Sequence, residues 1–129
     1  MLNPLPHAAQ HTLAVLPRII SHMKEGGQLL LALDFDGTLA PICAHPMEAK
    51  VPPSTLSSLV ALSRCSGVQV LIISGRSRAT LSTLLGPAIT NFAIASSHGF
   101  SIYSSRWGKK EIAEDSLPAL AVANSALRA

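Results

Sequence analysis

Three short apolar runs, each followed at once by a polar turn that contains glycine, constrain the fold of this chain more than any other feature. The runs cover residues 28–34, 68–73 and 92–96. Continuous apolar character is typical of strands that are buried on both faces of a parallel sheet. Helical patterns over residues 54–62 and 77–85 separate the runs. The order strand, helix, strand, helix, strand predicts an α/β fold built on a parallel sheet with right-handed crossovers.

The chain divides into three segments around these runs. Residues 1–27 are predicted to form an N-terminal helical segment, and residues 28–99 the core that carries the sheet, with Ser54 as the expected N-cap of its first helix. Residues 100–129 begin with a predicted hairpin and end in an alanine- and leucine-rich helix over residues 118–129. Four apolar residues at helical spacing support the first segment: Leu13, Leu16, Ile20 and Met23.

The composition excludes several classes of protein. Hydrophobic residues make up 48% of the chain, which is too many for a disordered protein, and the longest apolar run near the first motif is far shorter than a membrane span. The net charge of +3 is spread along the chain, so we expect no nucleic-acid partner. Two cysteines make neither a disulfide framework nor a zinc site. We expect a cytoplasmic protein, with organelle targeting by the acid-free N-terminus left open.

Polar turns follow all three predicted strands. They lie at residues 34–38 (Asp-Phe-Asp-Gly-Thr), 74–76 (Ser-Gly-Arg) and 97–99 (Ser-His-Gly). Ligands of open parallel sheets bind beyond the carboxyl ends of the strands, so these turns mark the expected site. Side chains two residues apart on an extended backbone point the same way, and the carboxylates of Asp34 and Asp36 can therefore converge. Two ionised carboxylates repel each other, and a divalent cation or a shared proton relieves that repulsion.

This set of residue types suits phosphoryl transfer. Carboxylate oxygens are hard ligands that suit Mg²⁺, which also lets a phosphate dianion approach two acids. Asp34 can then attack phosphorus, while Asp36 can protonate the leaving oxygen and later activate water. Ser74 can hydrogen-bond a phosphoryl oxygen, and Arg76 can add positive charge. Simpler interpretations stay open: an Asx-bonded turn, an ordinary Ser-Gly turn, and a loop histidine at His98 that bonds the backbone.

Three strings of the sequence carry a resemblance to a known family. LALDFDGTLAPI at residues 31–42 resembles the first motif of the haloacid dehalogenase superfamily of phosphotransferases. Together with IISGR at residues 72–76 and SSHGF at residues 96–100, it is similar to the trehalose-6-phosphate phosphatases of that superfamily. The resemblance implies a Rossmann-like core of the haloacid dehalogenase type, followed by a β-hairpin and the start of a cap domain. It also implies a Mg²⁺-dependent enzyme of trehalose biosynthesis, which hydrolyses trehalose 6-phosphate through an aspartyl-phosphate.

The resemblance implies a role for each matching residue. Asp34 is then the nucleophile and a magnesium ligand. Asp36 is then the general acid and base, and it lends its backbone carbonyl to the metal. Ser74 is then the hydroxyl that binds phosphate. The other matching positions are expected to shape or line the phosphate and substrate site: Gly37, Thr38, Gly75, Arg76 and His98. Gly99 also matches a family string, which assigns it no role.

Departures from the family pattern set further expectations. The superfamily's third motif supplies a lysine and its fourth supplies acidic residues, and neither motif is found after Gly99. We therefore expect the chain to represent the N-terminal portion of such a phosphatase. Residues 29–33 would then lie at an exposed sheet edge, where another chain can associate. A charged fraction of 13%, about half the usual share, agrees with a surface that is normally covered.

Two alternatives to this enzyme stay open at the level of sequence. One is a non-catalytic binding or regulatory module that keeps the phosphate-facing turns but carries out no turnover. The other is a phosphatase for a different sugar phosphate, because the part of the family fold that sets specificity is not represented. In each case the expected partner is a sugar phosphate, with no nucleic acid and no membrane.

Overall fold

A five-stranded sheet organises the structure. The computed structural model describes residues 7–105 and 108–111. In chain order the helices and strands are α1 (His7–Lys24), β1 (Leu29–Asp34), α2 (Pro53–Ser63), β2 (Val68–Ile73), α3 (Arg78–Leu85), β3 (Ala93–Ser96), β4 (Ser101–Ser104) and β5 (Gly108–Glu111). Short 3₁₀ helices lie at Pro46–Glu48, Gly86–Asn91 and Ser97–Gly99. The strands lie in the sheet in the order β1-β2-β3-β4-β5.

The first three strands run parallel, which brings their carboxyl ends to one edge of the sheet. β1 pairs with β2 in a register that places Asp34 opposite Ile73, and β2 pairs with β3 in a register that places Ile73 opposite Ala95. β3, β4 and β5 then pair antiparallel. The predicted α/β fold, with parallel strands followed by a hairpin, is therefore confirmed.

The core lies on one face of the sheet, against helices α2 and α3. Val70, Ile72 and Ile94 are at most 1% exposed, and they belong to one cluster with Leu59 of α2 and Leu81 of α3. Full burial of an aliphatic side chain of this size contributes about 1.5–3 kcal/mol. This cluster holds β1, β2 and β3 in the arrangement that positions the turns at their carboxyl ends.

The opposite face of the sheet is less covered near β1. Leu30 is 58% exposed and Ile73 is 40% exposed, although both belong to apolar strands. β1 is also the terminal strand among the strands that the structure describes. Within the described residues the first strand therefore lies at a sheet edge, as the sequence predicted.

Helix α1 forms where the apolar spacing predicted a helix, but its apolar stripe is not covered. Its C-terminal end is anchored by His22, whose Nε2 lies 3.2 Å from the carbonyl oxygen of Gln28. Three residues of the stripe remain about half exposed: Leu13, Leu16 and Ile20. None of the helices within the described residues is both long and apolar enough to cross a bilayer.

The start of α2 differs from the prediction. The helix begins at Pro53, with Pro52 as its N-cap, and the Ser54 hydroxyl makes no cap. Proline suits the first helical position because its φ is already helical and its missing N–H would have no partner there. Ser54 therefore lies in the first turn, where its carbonyl oxygen accepts a hydrogen bond from the Ser58 hydroxyl at 3.0 Å.

The C-terminal segment is described only as far as the hairpin. β4 and β5 pair from Ser101 opposite Glu111 to Ser104 opposite Gly108, where the sequence predicted a hairpin at the start of residues 100–129. The predicted helix over residues 118–129 and the predicted start of a cap domain lie outside the described residues.

Candidate active site

Main-chain hydrogen bonds join the turns that follow β2 and β3 at the carboxyl edge of the sheet. The amide of Ser97 donates to the carbonyl oxygen of Arg76 at 2.9 Å, and the amide of His98 donates to that of Ser74 at 3.0 Å. The amide of Ser74 also donates to the carbonyl oxygen of Ala95 at 2.9 Å. The two turns therefore form one unit beside the end of β1.

The turn after β1 is closed by its own backbone. The amide of Phe35 donates to the carbonyl oxygen of Ile73 at 3.2 Å, which continues the ladder between β1 and β2 past the strand. The amides of Leu39 and Ala40 both donate to the carbonyl oxygen of Phe35, at 3.0 and 2.9 Å. Gly37 lies inside this turn with a φ of +80°, which glycine adopts without steric cost. Its predicted role in shaping the turn therefore has a conformational basis.

The two acidic side chains of this turn have different surroundings. Asp34 ends β1 and is exposed, so its carboxylate is open to a solute at this edge. The side chain of Asp36 is 39% exposed and forms a bidentate ion pair with Arg76. Nε of Arg76 donates to Oδ2 at 2.8 Å, and Nη2 donates to Oδ1 at 2.7 Å. These hydrogen bonds lower the pKa of Asp36 below its ordinary value, so they favour the ionised carboxylate.

The Arg76 side chain also contacts the loop behind the first turn. Its Nη1 donates to the carbonyl oxygen of Pro46 at 2.6 Å, and its Cζ lies 5.5 Å from the centre of the Phe35 ring. A guanidinium has five N–H donors, and these bonds to the protein use three of them. The predicted contact of Arg76 with phosphate therefore depends on the remaining two donors, and it stays a prediction.

Ser74 is buried in the turn after β2, with 3% of the residue exposed. Its hydroxyl oxygen accepts the backbone N–H of Arg76 at 3.1 Å, so the hydroxyl proton can still be donated to another acceptor. A phosphoryl oxygen is a strong acceptor of this kind. The hydroxyl therefore keeps a donor, and the predicted role of Ser74 in phosphate binding stays a prediction.

The turn after β3 has a strained backbone. Ser97 and His98 have φ values of +51° and +57°, and Gly99 follows at +86°. The left-handed conformation costs a residue with a Cβ about 1–2 kcal/mol, so two consecutive residues here are strained. The His98 ring lies against Gly75, because a Cβ at Gly75 would come within 2.5 Å of His98 Cε1. Glycine at position 75 therefore allows the imidazole to lie over the second turn.

Replacing Gly75 with alanine is expected to displace the His98 ring while leaving the fold intact. The three atoms nearest to the new Cβ all belong to the imidazole. An exposed side chain can rotate away, so the free energy of unfolding should change by less than about 1 kcal/mol. The His98 ring resonances in NMR spectra measure the displacement. Gly99→Ala is the matched control: nothing lies within 4 Å of its Cβ, but its φ of +86° predicts a loss of about 1–2 kcal/mol. Unchanged His98 resonances in Gly75→Ala would contradict this contact.

Comparison with known proteins assigns the family. The trehalose-phosphatase family model matches residues 32–128, which is most of the chain and includes all three turns. The chain belongs to the trehalose-phosphatase family. The probable trehalose-phosphate phosphatase E of Arabidopsis thaliana is 34% identical over 91 residues, which cover 70% of this chain and 25% of that protein.

Solved structures agree with the family and with the fold. The C-terminal domain of C. albicans trehalose-6-phosphate phosphatase matches with a TM-score of 0.64 at 29% identity, covering 77% of this chain and 34% of that one. A haloacid dehalogenase-like hydrolase from B. subtilis has a TM-score of 0.50 at 20% identity, covering 74% of this chain and 34% of that one, which indicates a shared fold alone. The predicted core of the haloacid dehalogenase type is therefore confirmed. This member of the trehalose-phosphatase family spans about a quarter of the curated relative and about a third of each solved structure.

Haloacid dehalogenase-type phosphatases generally use a divalent metal. The carboxylate oxygens of this chain show which groups could bind one. The Asp34 carboxylate is exposed, whereas both carboxylate oxygens of Asp36 are bonded to Arg76. Mg²⁺ is often held by one or two carboxylates, with waters and a substrate phosphate as its other ligands. No group of three or more His, Cys, Asp or Glu side chains that could hold a metal occurs in the described part of the chain. The exposed Asp34 carboxylate is therefore open to a divalent metal, and its predicted role as a metal ligand stays a prediction.

The structure adds Phe35 and Pro46 to the residues that sequence reasoning placed at the site. Phe35 is 0% exposed although it lies between two aspartates, and its large apolar side chain was the only sequence signal for that burial. No sequence signal marks Pro46, because it contributes a backbone carbonyl, which every residue has. Thr38 lies exposed in the first turn, and its predicted role at the phosphate stays a prediction.

The pair of Asp36 and Arg76 predicts a pH-dependent part of the stability. Because the folded-state pKa of Asp36 is lowered, the unfolded chain takes up the proton first as the pH falls. The pair therefore stabilises the fold above about pH 4, and its contribution is lost as the pH falls through the lowered pKa. Partial exposure of Asp36 limits this contribution to about 1 kcal/mol. Urea unfolding should show a deficit in Arg76→Ala at neutral pH that shrinks in acid, whereas Arg64→Ala should show none.

Proposed function

We propose that this chain hydrolyses the phosphate ester of trehalose 6-phosphate, with Mg²⁺, to trehalose and inorganic phosphate. The observation that carries this proposal is the placement of an exposed Asp34, a paired Asp36 and a buried Ser74 after neighbouring parallel strands of a trehalose-phosphatase family chain. The substrate is supported by the relatives, which are named trehalose-phosphate phosphatases. Those proteins are longer than this chain, so the activity is proposed here on the residues that the chain itself carries.

The proposed reaction has two steps at phosphorus. Asp36 first takes up a proton from solvent, against the lowered pKa that its bonds to Arg76 give it. A carboxylate oxygen of Asp34 then attacks phosphorus, the bond from phosphorus to the sugar oxygen breaks, and the protonated Asp36 delivers its proton to that oxygen. Water then attacks the aspartyl-phosphate, Asp36 takes up the water's proton, and inorganic phosphate leaves with the Asp34 carboxylate restored. Ser74 donates its hydroxyl proton as a hydrogen bond to a phosphoryl oxygen throughout. Mg²⁺, held by the Asp34 carboxylate and the Asp36 carbonyl, would supply charge neutralisation between the acids and the phosphate.

A phosphate-release assay tests this activity. We expect release from trehalose 6-phosphate in the presence of Mg²⁺, loss of release after metal removal with EDTA, and slower release from sucrose 6-phosphate. A higher kcat/KM for sucrose 6-phosphate would assign the chain to a different sugar phosphate. A rate with Mg²⁺ that equals the rate without protein would contradict a catalytic function.

Two observations favour a second function, that of a non-catalytic binding module. Both carboxylate oxygens of Asp36 are occupied by Arg76, and the residues that the structure describes contain no metal-binding group of three or more side chains. In this function the turns bind a sugar phosphate without turnover. Calorimetric titration with trehalose 6-phosphate separates the two functions, because heat of binding without phosphate release supports the module and phosphate release supports the enzyme.

We also propose that the edge of β1 that faces away from β2, which no described strand covers, associates with a strand of another chain. The amides of Leu29 and Phe35 donate to carbonyl oxygens on the β2 side, at 2.8 and 3.2 Å. Because the direction of bonding alternates along a strand, the backbone groups of Leu30, Ala32 and Asp34 point away from β2. Before Asp34 this strand carries no charge and no proline, and an apolar edge of that kind is a template for another strand.

Size-exclusion chromatography with light scattering tests this association. The wild-type chain is expected to be larger than a monomer, and Leu30→Lys, which places a charge at the edge, is expected to shift it toward the monomer. Leu62→Lys is the matched control, because Leu62 is a 40% exposed leucine on α2, and it should leave the mass unchanged. A monomeric wild-type chain would contradict the proposed association.

A further inference from the structure

Arg76 contacts every turn of the candidate site. Its backbone amide donates to the Ser74 hydroxyl at 3.1 Å, and its carbonyl oxygen accepts the amide of Ser97 at 2.9 Å. Its side chain donates to both carboxylate oxygens of Asp36 and to the carbonyl oxygen of Pro46. One residue therefore connects the turn after β1, the loop behind it, and the turns after β2 and β3.

The Arg76 side chain is built into the structure. Only 14% of it is exposed, and its guanidinium carbon lies 5.5 Å from the centre of the Phe35 ring. That ring is 0% exposed, so it offers the guanidinium a support that is fixed in the core. Two N–H donors that bond two carboxylate oxygens set the plane of the carboxylate as well as its distance. The orientation of the Asp36 carboxylate therefore follows from the position of Arg76.

The first turn supplies no comparable restraint on that carboxylate. Its closing hydrogen bonds are all between backbone groups, from the amides of Leu39 and Ala40 to the carbonyl oxygen of Phe35 and from the amide of Gly37 to that of Ala40. Those bonds fix the path of the chain but leave the side-chain torsions free. Loss of the guanidinium would thus leave a folded turn whose acid and base group is free to rotate.

We propose that Arg76 is a positioning residue, which holds the Asp36 carboxylate and the loop at Pro46 in a fixed relation, while other groups of the site bind the phosphate. This inference rests on the proposed function, in which Asp36 carries protons. A reacting group that is misplaced by about 1 Å can lose about a hundredfold in rate. The effect of losing Arg76 should therefore fall on turnover and not on substrate binding.

Steady-state kinetics with trehalose 6-phosphate separate positioning from binding. In Arg76→Ala we expect kcat to fall about 10- to 100-fold while KM changes less than about threefold. Arg76→Lys should not recover kcat, because an ammonium group cannot donate two parallel hydrogen bonds to one carboxylate. Arg64→Ala, which removes an exposed arginine elsewhere, should leave both constants unchanged. A tenfold rise in KM with kcat preserved, partly restored by lysine, would overturn the proposal.

A double substitution shows whether Arg76 acts through Asp36. In an Asp36→Asn background, adding Arg76→Ala is expected to lower kcat by no more than about twofold, since the residue that it positions has already lost its function. Losses that multiply, each as large as in the single variants, would mean that Arg76 acts on the substrate directly and would overturn the proposal.

A readout without turnover keeps this inference separate from the proposed function. If the wild-type chain releases no phosphate, the proposed function fails, and hydrogen exchange still tests the positioning role. The amide of Glu48 donates to the carbonyl oxygen of His45 at 3.0 Å, in the loop that Arg76 holds at Pro46. Its exchange should become at least about tenfold faster in Arg76→Ala and stay unchanged in Arg64→Ala. Equal exchange in wild type and Arg76→Ala would overturn the proposal.

Inorganic phosphate serves as the probe for binding in the same samples. In an NMR titration with Mg²⁺, its Kd for Arg76→Ala is expected to lie within about threefold of the wild-type value, which is less than about 0.7 kcal/mol. A phosphate affinity that falls tenfold or more in Arg76→Ala would assign Arg76 to the phosphate and would overturn the positioning role.

Discussion

Asparagine at position 34 is expected to lower the rate of phosphate release at least about a thousandfold. The other groups of the site assist the nucleophile, but none of them can form the bond to phosphorus in its place. A carboxamide has nearly the shape of a carboxylate, but it neither attacks phosphorus nor binds Mg²⁺ as well. Asp34 is exposed at the end of β1, so the free energy of unfolding should stay within about 0.5 kcal/mol of the wild-type value. The loss is therefore expected in catalysis and not in folding.

Phosphate release and circular dichroism, measured on the same preparation, separate those two effects. Glu48→Gln is the matched control, since it neutralises an exposed carboxylate in the neighbouring loop, and it should keep the rate within about twofold. An acid-quenched phosphorylated peptide that contains Asp34 should be detected by mass spectrometry in the wild type and not in Asp34→Asn. Equal rates in Asp34→Asn and the wild type would exclude Asp34 as the nucleophile.

The sheet could be predicted from the sequence because its first three strands are continuous apolar strings, although the structure leaves one face of β1 exposed at Leu30. The run at residues 68–73 became β2 with the same bounds, and the helical patterns between the runs implied the parallel order. The start of α2 was less predictable, since Pro53 and Ser54 both suit the beginning of a helix. The helix begins at Pro53, whose fixed φ is already helical. The spacing of apolar residues predicts that α1 is a helix with an apolar stripe. It does not predict which surface, if any, packs against that stripe.

The site was predictable to the extent that it depends on strand ends. Asp34 and Ser74 follow adjacent parallel strands, so the sequence was enough to place them at one edge. The bond between Arg76 and Asp36 was not predicted, because both residues lie beyond their strands and their separation is set by the paths of two turns. Opposite charges in neighbouring turns were the only signal for it. The left-handed conformation of His98 was also not predictable, since sequence favours that conformation mainly at glycine.

Alanine at position 35 is expected to have the largest effect on stability, a loss of about 3–5 kcal/mol in the free energy of unfolding. Phe35 lies between two aspartates and is nevertheless 0% exposed, as a member of the core cluster. Small domains have a total stability of about 5–15 kcal/mol, so this loss is a large part of it. The carbonyl oxygen of Phe35 also closes the first turn, and its ring supports Arg76. The substitution should therefore disturb the site as well as the core.

Urea unfolding of Phe35→Ala, Phe35→Leu and Phe100→Ala separates these contributions of the ring. Phe100 is 42% exposed, so its loss should cost less than about 1 kcal/mol, and a similar small cost for Phe35→Ala would contradict the assigned burial. Leucine refills most of the volume, so Phe35→Leu should lose only about 1.5 kcal/mol. Leucine gives the Arg76 guanidinium no aromatic face, however, and that contact is worth about 0.5–1 kcal/mol. Phe35→Leu should therefore keep most of the wild-type stability, because the core depends on the volume of this side chain. Its Glu48 amide should still exchange faster than in the wild type, because the position of Arg76 depends on the aromatic ring.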